Sequence, residues 1–230
     1  LIHVVAGAVT DATGRVLIAQ RPPGKHLAGG WEFPGGKLEP GEARVAGLAR
    51  ELREELGISI CAPRPLLRLR HTYDFGEVLI DMWVVTQYAG VPRGLDGQCL
   101  QWVTLEELAA VELLPADAPI VRALRLPAQL HQSGTRDYRI YDLATLLGGL
   151  HADLDSGSAG ETKLRGALCF TVEDARAGAA GGADFLVVSA DLPRQELRAL
   201  CAELDIPVYV RAVSLESAWN MGASGTVPLL

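Results

Sequence analysis

Between Gly36 and Ile58 the chain reads GKLEPGEARVAGLARELREELGI, and no other stretch constrains it as tightly. Arg44 to Leu56 has helical spacing, and Gly57 stands where a left-handed residue ends a helix. On that helix Val45, Leu48, Leu52 and Leu56 share a side fit to bury against a sheet. Glu51, Glu54 and Glu55, at i, i+3 and i+4, fall in a neighbouring arc of about 100°. Carboxylates that close repel one another by roughly 0.2–0.5 kcal/mol per pair even on an exposed helix. A hard divalent cation removes that cost and prefers such oxygen ligands. Upstream, Pro34-Gly35-Gly36 lets the backbone approach the same place, so a carbonyl at Gly36 is a further candidate ligand. Taken alone, the three glutamates also fit a solvated acidic face with Arg50 and Arg53 as partners.

From Ile2 to about Leu126 the pattern is one of short strands around this helix. Ile2–Thr10 and Arg15–Gln20 read as a hairpin across the turn Asp11-Ala12-Thr13-Gly14. A Gly/Pro-rich loop covers Pro22 to Gly30, and Val78–Tyr88 and Leu100–Val103 read as further strands. Thr104-Leu105-Glu106-Glu107 opens a short helix with a capping-box pattern. Between Pro127 and Gly166 the pattern weakens, with loop-like runs at His131–Thr135 and Asp155–Gly160. Beyond it, apolar runs at Leu164–Phe170, Phe185–Ser189 and Pro207–Val210 alternate with helical stretches around Val172–Ala180 and Pro193–Leu204. Alternation of buried strand and helix is the signature of a parallel sheet. A boundary near residue 130 divides the chain into domains 1–130 and 131–230.

The formal net charge of -7 leaves no basic face for sequence-independent DNA or RNA binding. It leaves room for a nucleotide substrate, since a metal supplies positive charge locally. No run approaches the roughly 20 apolar residues of a membrane span, and no secretory leader is visible. Cys61, Cys99, Cys169 and Cys201 form no CxxC motif and are expected to be reduced, mostly buried thiols. The expectation is a cytoplasmic protein.

The stretch around the glutamates resembles the Nudix hydrolase box at every position. Gly36 is followed by five residues and Glu42, then seven residues and Arg50-Glu51-Leu52, then Arg53-Glu54-Glu55-Leu56-Gly57-Ile58. The resemblance implies an α/β chain whose first part is the α+β Nudix fold, a mixed sheet sandwiched by helices. It implies Mg²⁺ (or Mn²⁺) held by Glu51, Glu54 and Glu55, and hydrolysis of a nucleoside diphosphate linked to another group. Arg50 would orient the carboxylates and Glu42 would brace the loop. Cations there would neutralise a polyphosphate and lower the pKa of a bound water, and one glutamate or a nearby acid would take the proton.

Outside the box, Arg21, the run from His26 to Gly36, Tyr73-Asp74-Phe75 and Asp96-Gly97-Gln98 are similar to the MutT subgroup. That group converts 8-oxo-dGTP to 8-oxo-dGMP and pyrophosphate, a step of nucleotide-pool sanitation and mutation avoidance. By position Arg21 would reach the nucleotide, Phe33 and Phe75 would wall the base, and Asp96 would be a further acid near the metals. The alternatives are core positions for Phe33 and Phe75, a surface strand position for Arg21 and a turn role for Asp96. Lys37 and His26 read as loop residues. Two positions depart from the subgroup. Asp117, in Leu114-Pro115-Ala116-Asp117, stands where an Asn reads the purine edge. An ionised Asp only accepts, whereas Asn also donates. Asp96 stands where a longer glutamate is found, so its contact with the metal could pass through a water.

Residues 150 to 228 resemble part of a thiamine-phosphate synthase, a (β/α)₈ barrel. The resemblance rests on Gly149-Leu150-His151, Gly166–Thr171, Gly182–Ser189 and Pro207–Val210. About 100 residues cannot make a barrel that takes about 250, so a partial (β/α) barrel-like region is expected, without an intact synthase site. Cys169-Phe170 replaces a Ser/Thr-His pair, and Arg211-Ala212-Val213-Ser214 replaces a glycine-rich loop. Such a fragment would leave strand edges and an apolar face uncovered. It would then pack on the first domain or pair with a second copy in a homodimer. Two other functions remain open: cleavage of a thiamine-pathway diphosphate, and a non-catalytic nucleotide-binding sensor.

Overall fold

The computed structural model describes residues 1–132, 134–135, 138–148, 163–211 and 213–228. It divides into two compact units, Leu1–Val121 and Arg122–Leu230. The first contains β1 (Ile2–Val9), β2 (Val16–Gln20), β3 (Trp31–Glu32), β4 (Gly35–Lys37), α1 (Arg44–Leu56), β5 (Ser59–Cys61), β6 (Arg64–Tyr73), β7 (Gly76–Val85), β8 (Gln87–Ala89), β9 (Leu100–Val103) and α2 (Leu105–Leu108). A 3-10 turn at Pro115–Asp117 leads into α3 (Ala118–Leu124).

A mixed four-stranded sheet carries the unit, in the order β4-β1-β7-β6. β1 runs parallel to β7 and antiparallel to β4, so both its edges are taken. That is why the expected hairpin does not form. A single bridge, Thr10 to Val16, joins the two strands, and β2 pairs instead with β3 and β9 in a separate sheet. The alternation of β-branched and small residues in β1 suits a strand covered on both faces, and its last five residues are all buried.

Leu48, Leu52 and Leu56 of α1 are buried together with Val5, Val9, Leu17 and Val85. Val45, expected on the same side, is 43% exposed. Leu38 packs there in its stead, against Gly47, where an added Cβ would lie 2.5 Å from the Leu38 side chain. Gly57 ends α1 at φ 69, its N–H bonded to the Arg53 and Leu52 carbonyls. Thr104 and Glu107 form the expected capping box of α2.

The second unit contains β10 (Tyr138–Asp142), α4 (Leu143–Leu147), β11 (Leu164–Cys169), α5 (Val172–Ala180), β12 (Phe185–Val188), α6 (Arg194–Glu203), β13 (Val208–Arg211), α7 (Leu215–Asn220) and β14 (Gly225–Val227). Its five strands are parallel and lie side by side in chain order. The Gly149-Leu150-His151 match, the Asp155–Gly160 loop and Ala212 lie outside the described residues.

One sheet face is packed with α-helical side chains, among them Ala175, Leu197, Leu200 and Ala218. The other holds Tyr138, Phe185, Val187, Tyr209 and Val227, and it is not left open as expected. Leu126 and Leu130 are buried on it. The Tyr209 hydroxyl donates to the Pro127 carbonyl at 2.9 Å. The same segment closes the sheet edge, because Leu130 N–H donates to Thr226 O at 2.9 Å and Thr226 N–H to Ala128 O at 3.0 Å. Residues 126–130, assigned by sequence to the first domain, therefore belong to the second unit's core. Cys169 is buried, but Cys61 and Cys99 are exposed, on a short edge strand and in the loop before β9. Among the described residues no helix is long and apolar enough to cross a membrane.

Candidate active site

Two glycines let the carboxylate face of α1 approach β4. Gly35 has φ 153, and a Cβ there would lie 2.2 Å from the Val5 carbonyl oxygen on the neighbouring strand. A Cβ on Gly36 would lie 2.3 Å from Glu51 Oε2. The strand thus accepts β1 on one side and a glutamate on the other only because both side chains are missing.

Arg50 organises the acids. Its Nε and Nη2 donate to Glu42 Oε1 and Oε2 at 3.0 and 2.9 Å, a two-point pair. Nη1 donates to Glu51 Oε1 at 2.8 Å and to Glu54 Oε2 at 3.2 Å. Nη2 also donates to the Lys37 carbonyl at 3.1 Å. One guanidinium therefore fastens the loop after β4 to two of the three box glutamates. The hydrogen bonds from Arg50 hold the Glu42 carboxyl below its ordinary pKa.

Glu55 turns the other way. The Gly35 N–H donates to its Oε2 at 3.1 Å, and burial pushes its pKa up to about 7, with Glu32 and Glu51 adding to the rise. It lines a small cavity with Gln20, Lys25, Glu32, Asp96 and Gln98. Asp96 arrives there because its loop docks on the end of α1: Leu95 N–H donates to Glu55 O at 2.9 Å and Arg93 N–H to Leu56 O at 3.0 Å. Gln98 locks the turn, donating to Glu55 O at 3.1 Å and accepting from Asp96 N–H at 2.9 Å. So the turn reading of Asp96 and its place beside Glu55 hold together. Lys25 Nζ stands 3.9 Å from Asp96 Oδ2.

A second group of side chains adjoins Glu32. Arg21 pairs with Glu32, and its Nε donates to the His26 carbonyl at 2.7 Å. The rings of Tyr73 and Phe75 stack at 5.0 Å with 8° between planes, and His26 meets Phe75 edge-on at 4.7 Å. Phe75 is 50% exposed and offers a face, whereas Phe33 is 4% exposed and sits in the core. Asp117 is buried, and its Oδ2 has no hydrogen-bond partner. Burial lifts its pKa well above the carboxylate range, Glu32 adds to this, and Arg21 opposes it. Burial also raises the Tyr73 hydroxyl, with the Asp117 charge acting in the same direction.

Sequence reasoning quoted Glu32, Tyr73 and Gln98 only within matching runs and gave them no role, and it did not single out Lys25. Glu32 carried a signal, since it alternates with Trp31 and Phe33 in a short strand and so faces away from both. Nothing around Lys25 marked it.

The donors suit a divalent cation. Glu51 lies against Gly36 and Glu55 against the Gly35 N–H, Glu54 shares Arg50 with Glu51, and all three offer the hard oxygens such a cation prefers. Among the described residues no three His, Cys, Asp or Glu side chains are gathered closely enough to hold a metal ion by themselves. Mg²⁺ tolerates this, because it keeps several waters and takes only one or two carboxylates with substrate phosphates.

Comparison with known proteins bears on the family. A family model described as a NUDIX domain matches residues 5–123. A CTP pyrophosphohydrolase of Escherichia coli is 37% identical over 123 residues, which are 54% of this chain and 90% of that protein. An 8-oxo-dGTP diphosphatase of the same organism is 30% identical over 124 residues, 54% of this chain and 96% of that protein. The solution structure of the E. coli ORF135 protein is 36% identical, with a TM-score of 0.49, over 54% of this chain and 88% of that one. The box residues converge on one loop and one helix, and the family match spans half of the chain. The chain therefore belongs to the Nudix family of hydrolases.

Proposed function

We propose that the protein is a Mg²⁺-dependent nucleoside triphosphate pyrophosphohydrolase, releasing a nucleoside monophosphate and pyrophosphate, with 8-oxo-dGTP as its preferred substrate. The observation that carries this reading is the single guanidinium of Arg50 holding Glu42, Glu51 and Glu54 in one network against the Gly35–Gly36 backbone. A sensor of nucleotides has no use for that arrangement, and similarity to 8-oxo-dGTP diphosphatases and a CTP pyrophosphohydrolase supports the triphosphate class.

When bound, the metal supplies charge neutralisation of the phosphates and acidifies an attacking water. The chain does the rest. Glu51, Glu54 and Glu55 would hold it together with the substrate's phosphates, and a carbonyl at Gly36 would be a further ligand. Arg50 keeps Glu51 and Glu54 in place, and one of these two accepts the proton of the water. Asp96, fixed by Gln98, completes the acidic wall.

Base selection falls to Asp117 and the Tyr73–Phe75 stack. In its protonated form, which burial favours, the Asp117 carboxyl has one O–H donor and one carbonyl acceptor, the same pair an Asn offers. It donates to O6 and accepts from N1–H of an 8-oxoguanine. The same pattern also fits N3 and the amine of cytosine, which keeps a cytidine triphosphate as the second reading, favoured by the same buried Asp117. In the second unit, the parallel strands in chain order are compatible with consecutive βα units of a partial barrel, as a reading of fold and not of activity.

The test is a panel of 8-oxo-dGTP, dGTP, CTP, dCTP and thiamine diphosphate with Mg²⁺, separating pyrophosphate from orthophosphate. The highest kcat/KM on 8-oxo-dGTP, with pyrophosphate as product, is the expected result. A preference for CTP or dCTP selects the second reading, and hydrolysis of thiamine diphosphate alone overturns both.

A further inference from the structure

The cavity beside Glu55 poses an electrostatic problem for the function proposed above. Its lining contains three carboxylates, Glu32, Glu55 and Asp96, and a single basic side chain, Lys25. A triphosphate tail approaching this small opening meets a wall of carboxylates. Glu32 is already paired with Arg21, so Arg21 is committed. Lys25 is not: its ammonium lies 3.9 Å from Asp96, and both side chains are about half exposed. A pair of that length in contact with solvent is worth little and exchanges readily.

The loop that carries Lys25 is fastened on both sides of it. Its own N–H turns back to Pro22 O at 3.4 Å. The next residue, His26, is held by Arg21 through its carbonyl and by Phe75 through its ring. Gln20 donates to Gly29 O at 2.9 Å further along. Between these ties Leu27 adopts φ 57, a left-handed conformation that a leucine takes only when its surroundings impose it. The loop is thus held in a costly shape that leaves the ammonium, loosely paired with Asp96, beside the acidic wall.

We propose that Lys25 is a positioning residue for the substrate's polyphosphate: it serves as a counterion to Asp96 and Glu55 in the free protein, and moves to a phosphate oxygen when the nucleotide enters with its metal. This rests on the triphosphate reading above. It assigns Lys25 to binding and not to the chemical step. It also makes the ammonium a competitor of the divalent cation for the same carboxylates.

The experiment compares the intact protein with Lys25→Gln and Lys25→Arg. On the triphosphate that the parent cleaves best, Lys25→Gln should raise KM about tenfold, as expected for a lost charge-assisted hydrogen bond, and change kcat by less than about threefold. Lys25→Arg should restore KM to within about threefold of the parent, because the charge returns even if its geometry differs. Mn²⁺ titrated without nucleotide, read from the free-ion electron paramagnetic resonance signal, should bind about two- to fivefold tighter to Lys25→Gln, since a repelling charge is gone. A KM unchanged in Lys25→Gln, or not restored in Lys25→Arg, overturns the assignment, as does an unchanged Mn²⁺ affinity. A parent protein that cleaves no triphosphate at all overturns the functional reading and, with it, the part given to Lys25. The two failures are therefore distinct.

Discussion

Arg50 and Glu42 meet at two points, Nε to Oε1 at 3.0 Å and Nη2 to Oε2 at 2.9 Å, eight residues apart in sequence. Glu42 also accepts from the Glu39 N–H at 3.1 Å, so the loop before α1 is tied to the helix through this pair. The remaining Arg50 nitrogen is left free to serve Glu51 and Glu54 together. A lysine has neither the fork nor the reach to do both. Arg50→Lys should lower kcat/KM about 10–100-fold, the usual loss for a residue that holds metal ligands in place. Circular dichroism should stay unchanged. A variant with full activity would remove Arg50 from the machinery.

Glu54→Gln and Glu55→Gln keep the size of the side chain and delete the charge. Each should reduce kcat by about two orders of magnitude or more, with the fold intact. Mn²⁺ binding should weaken in parallel. Retention of most activity in both would end the metal assignment.

Asp117 gives a pH signature with a definite sign. Its carboxyl is raised in the folded protein, so the folded state holds a proton that the unfolded chain has lost. Its contribution is full below the unfolded carboxylate value near 3.8 and declines as pH rises from there. Asp117→Asn should flatten that decline, which melting temperatures from pH 4 to pH 8 would show. It should also keep kcat/KM within about threefold, because Asn reproduces the neutral acid's donor and acceptor. Asp117→Ala should lose the base contact and about tenfold or more in kcat/KM. Equal pH slopes for parent and Asn variant would show that Asp117 is ionised.

Asp81 is a second buried acid of the opposite kind. It accepts from Arg68 at 2.9 and 3.1 Å, from Arg44 at 2.8 Å and from His3. Burial alone would raise its pKa, but Arg68, His3 and Arg44 outweigh that and hold it low. Its stabilisation is present above the unfolded value and disappears as pH falls through the lower, folded one. Asp81→Asn should cost about 3–5 kcal/mol in urea unfolding, since it strands charged partners around a 3% exposed site.

In the second unit, Leu130→Ala should cost about 2–5 kcal/mol, the range for a fully buried leucine. A fragment of residues 122–230 should stay soluble, and one of residues 131–230 should aggregate. Equal solubility of the two would mean that residues 126–130 do not matter to that sheet.

The helix α1 and its glutamates were readable because every requirement is local. Leucine spacing, a terminal glycine and acids one turn apart all fall within one segment. Strand pairing was not readable, because whether β1 joins β2 or β7 depends on residues seventy positions away. The long strand β6 was missed since Arg64, Arg68, Arg70 and His71 interrupt its apolar positions; Arg68 earns its place only against Asp81 on β7. Lys25 and Glu32 face Glu55 across a cavity that no spacing in the sequence describes. The uncovered apolar face was expected for a sound reason, but the leucines that cover it look, in sequence, like the end of the preceding domain.

The segment 126–130 lies inside the second unit, close to its start, and is a structural part of it. Its backbone completes the edge at Thr226 while Leu126 and Leu130 fill the face behind it. Adding or removing one residue between the two leucines would break the match between the Thr226 hydrogen bonds and the buried leucine positions. The segment therefore has a fixed length. A second unit grafted onto another protein would have to bring these five residues with it, so the transferable piece starts before the apparent end of the hydrolase and not after it.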